Sequence, residues 1–291
     1  MGFSLPATTR DEESARRGYH CPIYTKKRNA IDAATSADRK VAIEIARELS
    51  GLPLALDQAG AYVEETACGL AGYLTLYRQR AAQLLSLRGA ASSDHPDSVA
   101  TTFALAFDKI EKSSPAASAL LRLCAYLHPD AIPEEIFTQG TPTLGTVLQP
   151  LADPVEFNAA IQETLRYSIL RRDPDAQTLS IHRLVQAVIR DIMDPTAQRE
   201  WAERAVRAVD QTFPVVEFLQ WSKCERFTPH ALSCAALIER WSLDFPEAGR
   251  LLHKVGGYLN ERALYPEGEP LYKRSLAIWE KALGPEHPDV S

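Results

Sequence analysis

The amino-acid sequence predicts a mainly α-helical protein with one small β-hairpin. Apolar residues recur at helical spacing along much of the chain, as Val41, Ile45 and Leu49 do at positions i, i+4 and i+8. Two short apolar segments, 168–171 and 178–181, flank an Asp-Pro-Asp turn signal, which is typical of a hairpin. With 291 residues, the chain is long enough for two or three small domains.

Composition and charge narrow the classes of function. The net charge of −6 and the pI near 5.7 disfavour a dedicated binder of nucleic acids or anionic membranes. No apolar run approaches the ~20 residues that span a bilayer. Residues 1–33 are polar and without periodicity, which predicts a poorly ordered lead-in and no signal peptide. Five scattered cysteines without a CxxC pair predict reduced thiols in a cytoplasmic protein.

Residues 34–112 predict a helical domain with a tight corner in the sequence ELSGLPLAL. Gly51 ends the first helix, as a residue just past a helix end often does, and Pro53 starts the second helix in its first turn. Two further helices with apolar stripes follow, over 70–87 and 97–112.

The corner itself carries a recognisable motif. Residues 51–56, GLPLAL, resemble the motif of that sequence in the NB-ARC, or STAND-type, nucleotide-binding signalling ATPases. In that family the motif lies in the helical domain that follows a P-loop domain. The resemblance implies that residues 34–112 are this helical domain and that Pro53 would pack against the adenine of bound ADP.

Residues 113–195 predict three helices, the hairpin and one more helix. The three helices begin at Pro115, Ala131 and Pro154, and the last runs over 182–193. This order is that of a winged helix, the domain expected after the GLPLAL helices in NB-ARC proteins. A winged helix also raises DNA binding as an alternative. However, its third helix carries Glu156 and Glu163, which DNA phosphates would repel.

The junction between the hairpin and the last helix has a second motif. Ile181, His182 and Arg183 resemble the MHD motif of the same family, whose histidine contacts the β-phosphate of ADP in the resting state. The resemblance gives His182 that role, and the free N–H groups of a helix N-terminus suit a phosphate. Arg183 stands where the family has aspartate, so the contact made by that aspartate is missing.

The sequence contains no motif for catalysis or for binding a nucleotide or a metal by itself. Nothing matches the P-loop pattern GxxxxGK[ST], whose amides and lysine hold the phosphates of a nucleotide. Cys224, His230 and Cys234 offer three candidate ligands, which do not close a zinc site. We therefore expect no enzymatic activity and no cofactor in this chain, with ADP or ATP as the ligand of the parent family. One alternative is nucleotide binding together with a separate partner that carries a P-loop.

The last hundred residues predict only helices. Residues 196–245 resemble adaptor helices, and the apolar stripe of the second includes Leu232 and Ile238. Residues 246–291 resemble a single tetratricopeptide repeat of the kinesin-light-chain type, in an array that is truncated. The matching positions are Leu252, Val255, Gly256, Leu259, Gly268, Tyr272 and Ser275. The small residues among them are expected to let the two helices approach closely.

The repeat implies a protein partner. A single repeat cannot bury both of its faces, so Leu276, Trp279 and Leu283 on its second helix predict an exposed apolar strip that binds a partner or a second copy. The sequence thus predicts a protein–protein interaction or regulatory module, a truncated STAND-type signalling protein without its own P-loop. The alternatives are an ADP- or ATP-binding signalling ATPase that acts with a separate P-loop domain, and a winged-helix DNA-binding regulator.

Overall fold

The structure is a computed structural model that describes residues 35–49, 53–88, 97–141 and 144–284. It is mainly α-helical with one small sheet, as the sequence predicts. None of the helices in the described residues is long and apolar enough to cross a membrane. In chain order, the elements are α1 (Ser36–Glu48), α2 (Pro53–Thr66), α3 (Gly69–Arg88), α4 (Asp97–Ser113), α5 (Pro115–Cys124), β1 (Ile132–Pro133), α6 (Glu135–Thr138), α7 (Pro154–Arg166), β2 (Leu170–Asp173), β3 (Thr178–Ile181), α8 (Arg183–Asp191), α9 (Pro195–Thr212), α10 (Trp221–Trp241), α11 (Pro246–Glu261) and α12 (Tyr265–Leu283).

The chain divides into two compact units, residues 1–45 and 46–291. In the first unit, the described residues form most of α1, which begins with a reciprocal cap. The Thr35 hydroxyl accepts a hydrogen bond from the backbone N–H of Asp38 at 3.2 Å, and the Asp38 carboxylate accepts one from the N–H of Thr35 at 3.1 Å. This cap satisfies two N–H groups that the first turn of a helix leaves without partners.

In the second unit, α4 is the central helix of the first half. It packs against α2 and α3, which precede it, and against α5 and α8, which follow it. Phe103, Phe107 and Ile110 repeat at helical spacing on α4 and are all buried. Because one helix serves both neighbouring groups, the GLPLAL helices and the elements that follow them share this apolar core.

The small sheet corrects one sequence expectation. Residues 131–137 were expected to form a helix, but Ala131 has a φ of +51° and Ile132–Pro133 forms strand β1, so the helix covers only Glu135–Thr138. The sheet order is β1-β3-β2, and both pairings are antiparallel. Pro133 has no N–H to donate, and its place in an edge strand tolerates that loss.

Two glutamines position the hairpin–helix junction. The Gln186 side-chain amide on α8 donates to the carbonyls of Cys124 at 2.8 Å and Leu127 at 2.9 Å, at the end of α5. The Gln198 amide on α9 donates to the carbonyls of Arg190 and Met193, both at 3.0 Å. Because the last carbonyls of a helix have no partners within it, these bonds fix α8 between α5 and α9.

The four last helices pack as two pairs, α9 with α10 and α11 with α12. The sequence expectation for α10 is wrong at Leu232, which is 43% exposed, while Phe227, Ala231 and Ile238 are buried. The buried face follows the helical period, and Leu232 directly follows Ala231, so its side chain points about 100° away from that face.

Candidate functional site

A cleft of about 310 Å³ lies where α2, the α7–β2 connection and the hairpin–helix junction meet. It includes the histidine that the sequence singles out. The residues that line it are Asp57, Asp130, Leu165, Ser168, Ile169, Leu170, Arg171, Ser180, Ile181, His182 and Val185.

His182 is the N-cap residue of α8. Its backbone is extended, and its Nδ1 accepts a hydrogen bond from the N–H of Leu184 at 3.1 Å. An accepting Nδ1 assigns the proton of a neutral imidazole to Nε2. The Nε2–H of such a ring is a donor, which suits a phosphate or carboxylate oxygen.

Pro53 does not line this cleft. It is exposed at the start of α2, while Asp57, one helical turn later, lines the cleft together with His182. The structure thus brings His182 and the proline-initiated helix together, but it does not bring Pro53 itself to His182. Gly51 and Leu52, and the side chain of Leu54, lie outside the described residues.

The contact between α2 and the α7–β2 turn is polar and aromatic. The Gln58 side-chain amide donates to the Ser168 carbonyl at 2.5 Å, and Gln58 is only 1% exposed. The Tyr62 ring lies 6.2 Å from the Tyr167 ring and 5.7 Å from the Tyr73 ring. These contacts hold α2 at the edge of the cleft, and the sequence pattern did not indicate Gln58.

The charges in the cleft are mixed. The lining contains two acidic side chains, Asp57 and Asp130, and one arginine, Arg171, so it does not concentrate positive charge. A nucleotide phosphate chain would need further donors and cations from elsewhere to offset its charge.

The structure also bears on the DNA-binding alternative. Arg172 near the hairpin turn is held by Glu134 through two hydrogen bonds of 2.6 and 2.8 Å, and by Asn158 at 2.7 Å. Arg166 on α7 contacts Glu163 at 3.1 Å and Glu65 at 3.6 Å. Because these cations are already paired with carboxylates, they would attract a DNA phosphate less strongly.

The helix pair α11–α12 is closely packed, as expected from its small residues. A Cβ added at Gly268 would lie 3.1 Å from the Gly256 carbonyl oxygen, and one at Gly256 would lie 3.3 Å from that of Gly268. The buried Ser275 donates its hydroxyl to the Gly249 carbonyl at 2.7 Å. The prediction that small residues permit this approach is confirmed.

The predicted apolar strip on α12 needs a correction. Leu276 is 42% exposed, as expected. Trp279, however, is partly buried against its own repeat, so its ring is not fully available to a partner. Its indole N–H donates to the Pro246 carbonyl at 3.2 Å, and its ring lies against Gly249, where no side chain keeps it away. The side chain of Leu283 lies outside the described residues. A role for these three residues in binding stays a prediction.

A charged cluster that sequence reasoning missed joins α9 to α11. Asp210 is 1% exposed and accepts hydrogen bonds from Arg250 at 3.0 and 3.1 Å and from Lys254 at 3.1 Å. The Lys254 ammonium also donates to the Asp210 carbonyl at 2.6 Å. The sequence does contain a signal for this cluster, because Asp210 directly follows Val209 in the apolar stripe of α9.

The three candidate metal ligands on α10 are used for packing. Cys224, His230 and Cys234 are buried, and no group of three metal-ligating side chains forms in the described part of the chain. The His230 Nε2 lies 3.2 Å from the Ala131 carbonyl, and its Nδ1 has no partner. Burial lowers the pKa of His230 to about 4, which keeps the ring neutral at pH 7.

Comparison with known proteins adds three findings. Residues 108–198 match a family described as a domain of unknown function (DUF7779), and residues 250–289 match the tetratricopeptide repeat family. A nucleotide-binding leucine-rich repeat (NLR)-like protein of Hyaloscypha variabilis (strain UAMH 11265 / GT02V1 / F) is 28% identical over 263 residues, which cover 85% of this chain and 25% of that protein. The chain therefore spans about a quarter of the length of this relative. No solved structure matches the chain. The helix pair α11–α12 is thus a tetratricopeptide repeat.

Proposed function

We propose that this chain is a regulatory protein–protein interaction module that belongs to a STAND-type signalling protein. The observation that carries the proposal is the tetratricopeptide repeat with an exposed apolar residue, Leu276, on its outer helix face. Such helix pairs stack on further helices, because a single pair leaves one face uncovered. The name of the NLR-like relative supports a signalling role.

The proposal extends to the parts before the repeat. Residues 34–112 would be the helical domain, 113–195 the winged helix, 196–245 the adaptor and 246–291 the tetratricopeptide repeat. The observed order of α5, α6, α7, the hairpin and α8 supports the winged-helix part. These domain boundaries stay predictions.

We further propose that the chain has no enzymatic activity, no cofactor and no P-loop of its own, and that it works in the cytoplasm. The P-loop pattern is missing from the sequence, and the cleft beside His182 has a mixed charge. The described cysteines, Cys68, Cys124, Cys224 and Cys234, are free thiols, as in proteins of a reducing compartment.

A peptide selection tests the repeat as the binding surface. Peptides from a displayed library are selected on the whole chain, and their affinities are measured by fluorescence anisotropy. Leu276→Glu should weaken binding at least about tenfold, because it places a charge in an apolar contact. Leu232→Glu on α10 is the matched control, since Leu232 is equally exposed but lies outside the repeat. Peptides that bind Leu276→Glu as tightly as the parent would refute this surface.

A second candidate function is a nucleotide contact made together with a separate P-loop protein. It is favoured by the shared cleft of His182 and Asp57 on the GLPLAL helix. With a P-loop domain supplied as a separate protein, His182→Asn should weaken ADP binding several-fold, because asparagine keeps a capping oxygen but lacks Nε2–H. An unchanged ADP affinity would rule out this role for His182.

A further inference from the structure

Exposed apolar side chains collect at one end of the last two helix pairs. The α9–α10 loop exposes Val215, Phe218 and Leu219, at 69%, 76% and 86%. The α11–α12 turn exposes Leu264 and Tyr265, at 44% and 59%. Soluble proteins rarely expose a contiguous group of large apolar residues unless it binds something.

The two loops lie beside each other. The Phe218 ring is 5.2 Å from the Trp221 ring at the start of α10, and the Arg262 guanidinium lies over that same Trp221 ring at 5.4 Å. Arg262 is the residue after α11 and stands two positions before Leu264. The two loops therefore meet at Trp221, and we call the five exposed side chains that they carry the loop-end patch.

The surroundings of the loop-end patch are acidic. Glu217 precedes Phe218, Glu225 lies one helical turn after Trp221, Glu261 ends α11, and Glu267 is in the first turn of α12. All four are exposed, and none of them forms an ion pair with another described residue.

Two neighbouring cations offset part of this charge but leave it net negative, because a guanidinium or ammonium group that lies over an aromatic ring keeps its positive charge. Arg262 lies over Trp221, and the Lys223 ammonium lies over the Phe227 ring at 5.9 Å. Arg226 is paired with Glu135 at 2.6 Å. An apolar centre with carboxylates around it is complementary to apolar anchors that are flanked by positive charge.

We propose that the loop-end patch binds a basic amphipathic segment of a partner protein, with apolar side chains that cover Phe218 and Leu219 and with Lys or Arg residues that meet the four carboxylates. The same charge repels nucleic acids and anionic membranes. This surface is distinct from the outer face of the repeat, because Leu276 lies eleven residues beyond Tyr265 on α12, which is about 16 Å along the helix.

The probe is a synthetic, fluorescein-labelled peptide of about 18 residues, with leucines at helical spacing and lysines on both sides of that stripe. An otherwise identical peptide has glutamate in place of lysine. Binding to the whole chain is measured by anisotropy at low and high salt. We expect the lysine peptide to bind at least about tenfold more tightly than the glutamate peptide, with an advantage that shrinks at high salt.

Variants locate the binding. The double change Phe218→Ser and Leu219→Ser should weaken binding of the lysine peptide at least about tenfold. Changing Glu217 and Glu261 to Gln together should weaken it several-fold at low salt only. Val155→Ser is the matched control, since Val155 is 74% exposed on α7 outside the patch, and Leu276→Glu tests independence from the repeat face. Neither should change the affinity, and circular dichroism checks that each variant is folded.

Three results would overturn the proposal. The first is equal binding of the lysine and glutamate peptides, and the second is full affinity in the Phe218→Ser and Leu219→Ser protein. The third is a dimer, seen by sedimentation velocity, that these two serine changes convert to monomer, because the patch would then cover a second copy. Loss of peptide binding in Leu276→Glu alone would move the site to the repeat face and would leave the proposed function standing.

Discussion

One buried charged residue, Asp210, links the repeat to the helices before it. Asp210 on α9 is almost fully buried, and its two basic partners, Arg250 and Lys254, both come from α11. A buried carboxylate must be paired to offset the cost of removing it from water. This cluster therefore couples the position of α11 to that of α9.

Replacing Asp210 by Ala should lower the free energy of unfolding by about 3 kcal/mol, because two cations lose their buried partner. The loss should lie at the low end of the range for such pairs, since Arg250 is half-exposed and can turn to water. Urea denaturation measures the change. Glu200→Ala removes an exposed ion pair with Arg204 and should cost less than about 0.5 kcal/mol. Equal losses in both variants would contradict the account.

His230 should make stability depend on pH. Its folded pKa is lowered to about 4 by burial, while an unfolded histidine has about 6.5, so between these values the unfolded chain binds more protons. Stability therefore falls as the pH drops through this window, by about 2 kcal/mol between pH 7 and pH 5 from this group.

The test compares urea denaturation at pH 7 and pH 5. His230→Gln should reduce the pH-dependent loss by about 2 kcal/mol, because the titrating ring is gone. The parent protein, measured at the same two pH values, gives the pH dependence for comparison. If His230→Gln keeps it, His230 is not buried as a neutral ring.

Close approach of backbones fixes how whole elements pack. At Gly140, just after α6, an added Cβ would lie 2.5 Å from the Ala208 carbonyl oxygen of α9 and 2.6 Å from that of Ile136. At Gly60, inside α2, an added Cβ would have no atom within 4 Å. The same substitution should therefore have opposite effects at the two positions.

Gly140→Ala should destabilise the protein by about 2 kcal/mol or more, because backbone atoms of α9 must move. Gly60→Ala should stabilise it by about 0.5–1 kcal/mol, because alanine is the better helix former and the space is open. Thermal and urea unfolding of both variants measure the two signs. A neutral Gly140→Ala would show that α6 does not lie against α9 as closely as described.

Element boundaries with local causes could be predicted from the sequence. Pro115 and Pro154 start α5 and α7, as expected, since a proline fits the first turn of a helix. Strand β1 could not be predicted, because it exists through pairing with β3, which lies more than 40 residues further along the chain. The period of the apolar residues placed Ile238 correctly on the buried face of α10, but Leu232 only adjoins that face.

The candidate sites divide in the same way. His182 was singled out by the resemblance of residues 181–183 to a family motif, and its contact with a nucleotide stays a prediction, while its role as the N-cap of α8 is seen only in the structure. Asp57 and Asp130 reach the cleft only through the packing of α2 and the loop before β1, so no local pattern indicates them. The inward position of Trp279 depends on Gly249 of the preceding helix, whose missing side chain leaves room for the indole.

At the scale of the whole molecule, the cleft beside His182 and the surfaces of the last helices are built from different elements. The cleft uses α2, the hairpin and α8, whereas the repeat uses α11 and α12. The net charge of −6 does not favour phosphates, and the cleft, in the part of the chain that the structure describes, does not concentrate positive charge. Our central proposal is that the chain acts by binding proteins and does not hold a nucleotide by itself.

Titration of the purified chain with fluorescent mant-ADP and Mg²⁺ tests this claim most directly. The account predicts no saturable signal up to about 1 mM, a concentration that corresponds to a binding free energy of only about −4 kcal/mol. Saturable binding with a Kd in the low micromolar range, lost in His182→Asn and kept in His253→Gln, would contradict it and would make the chain a nucleotide-binding protein on its own.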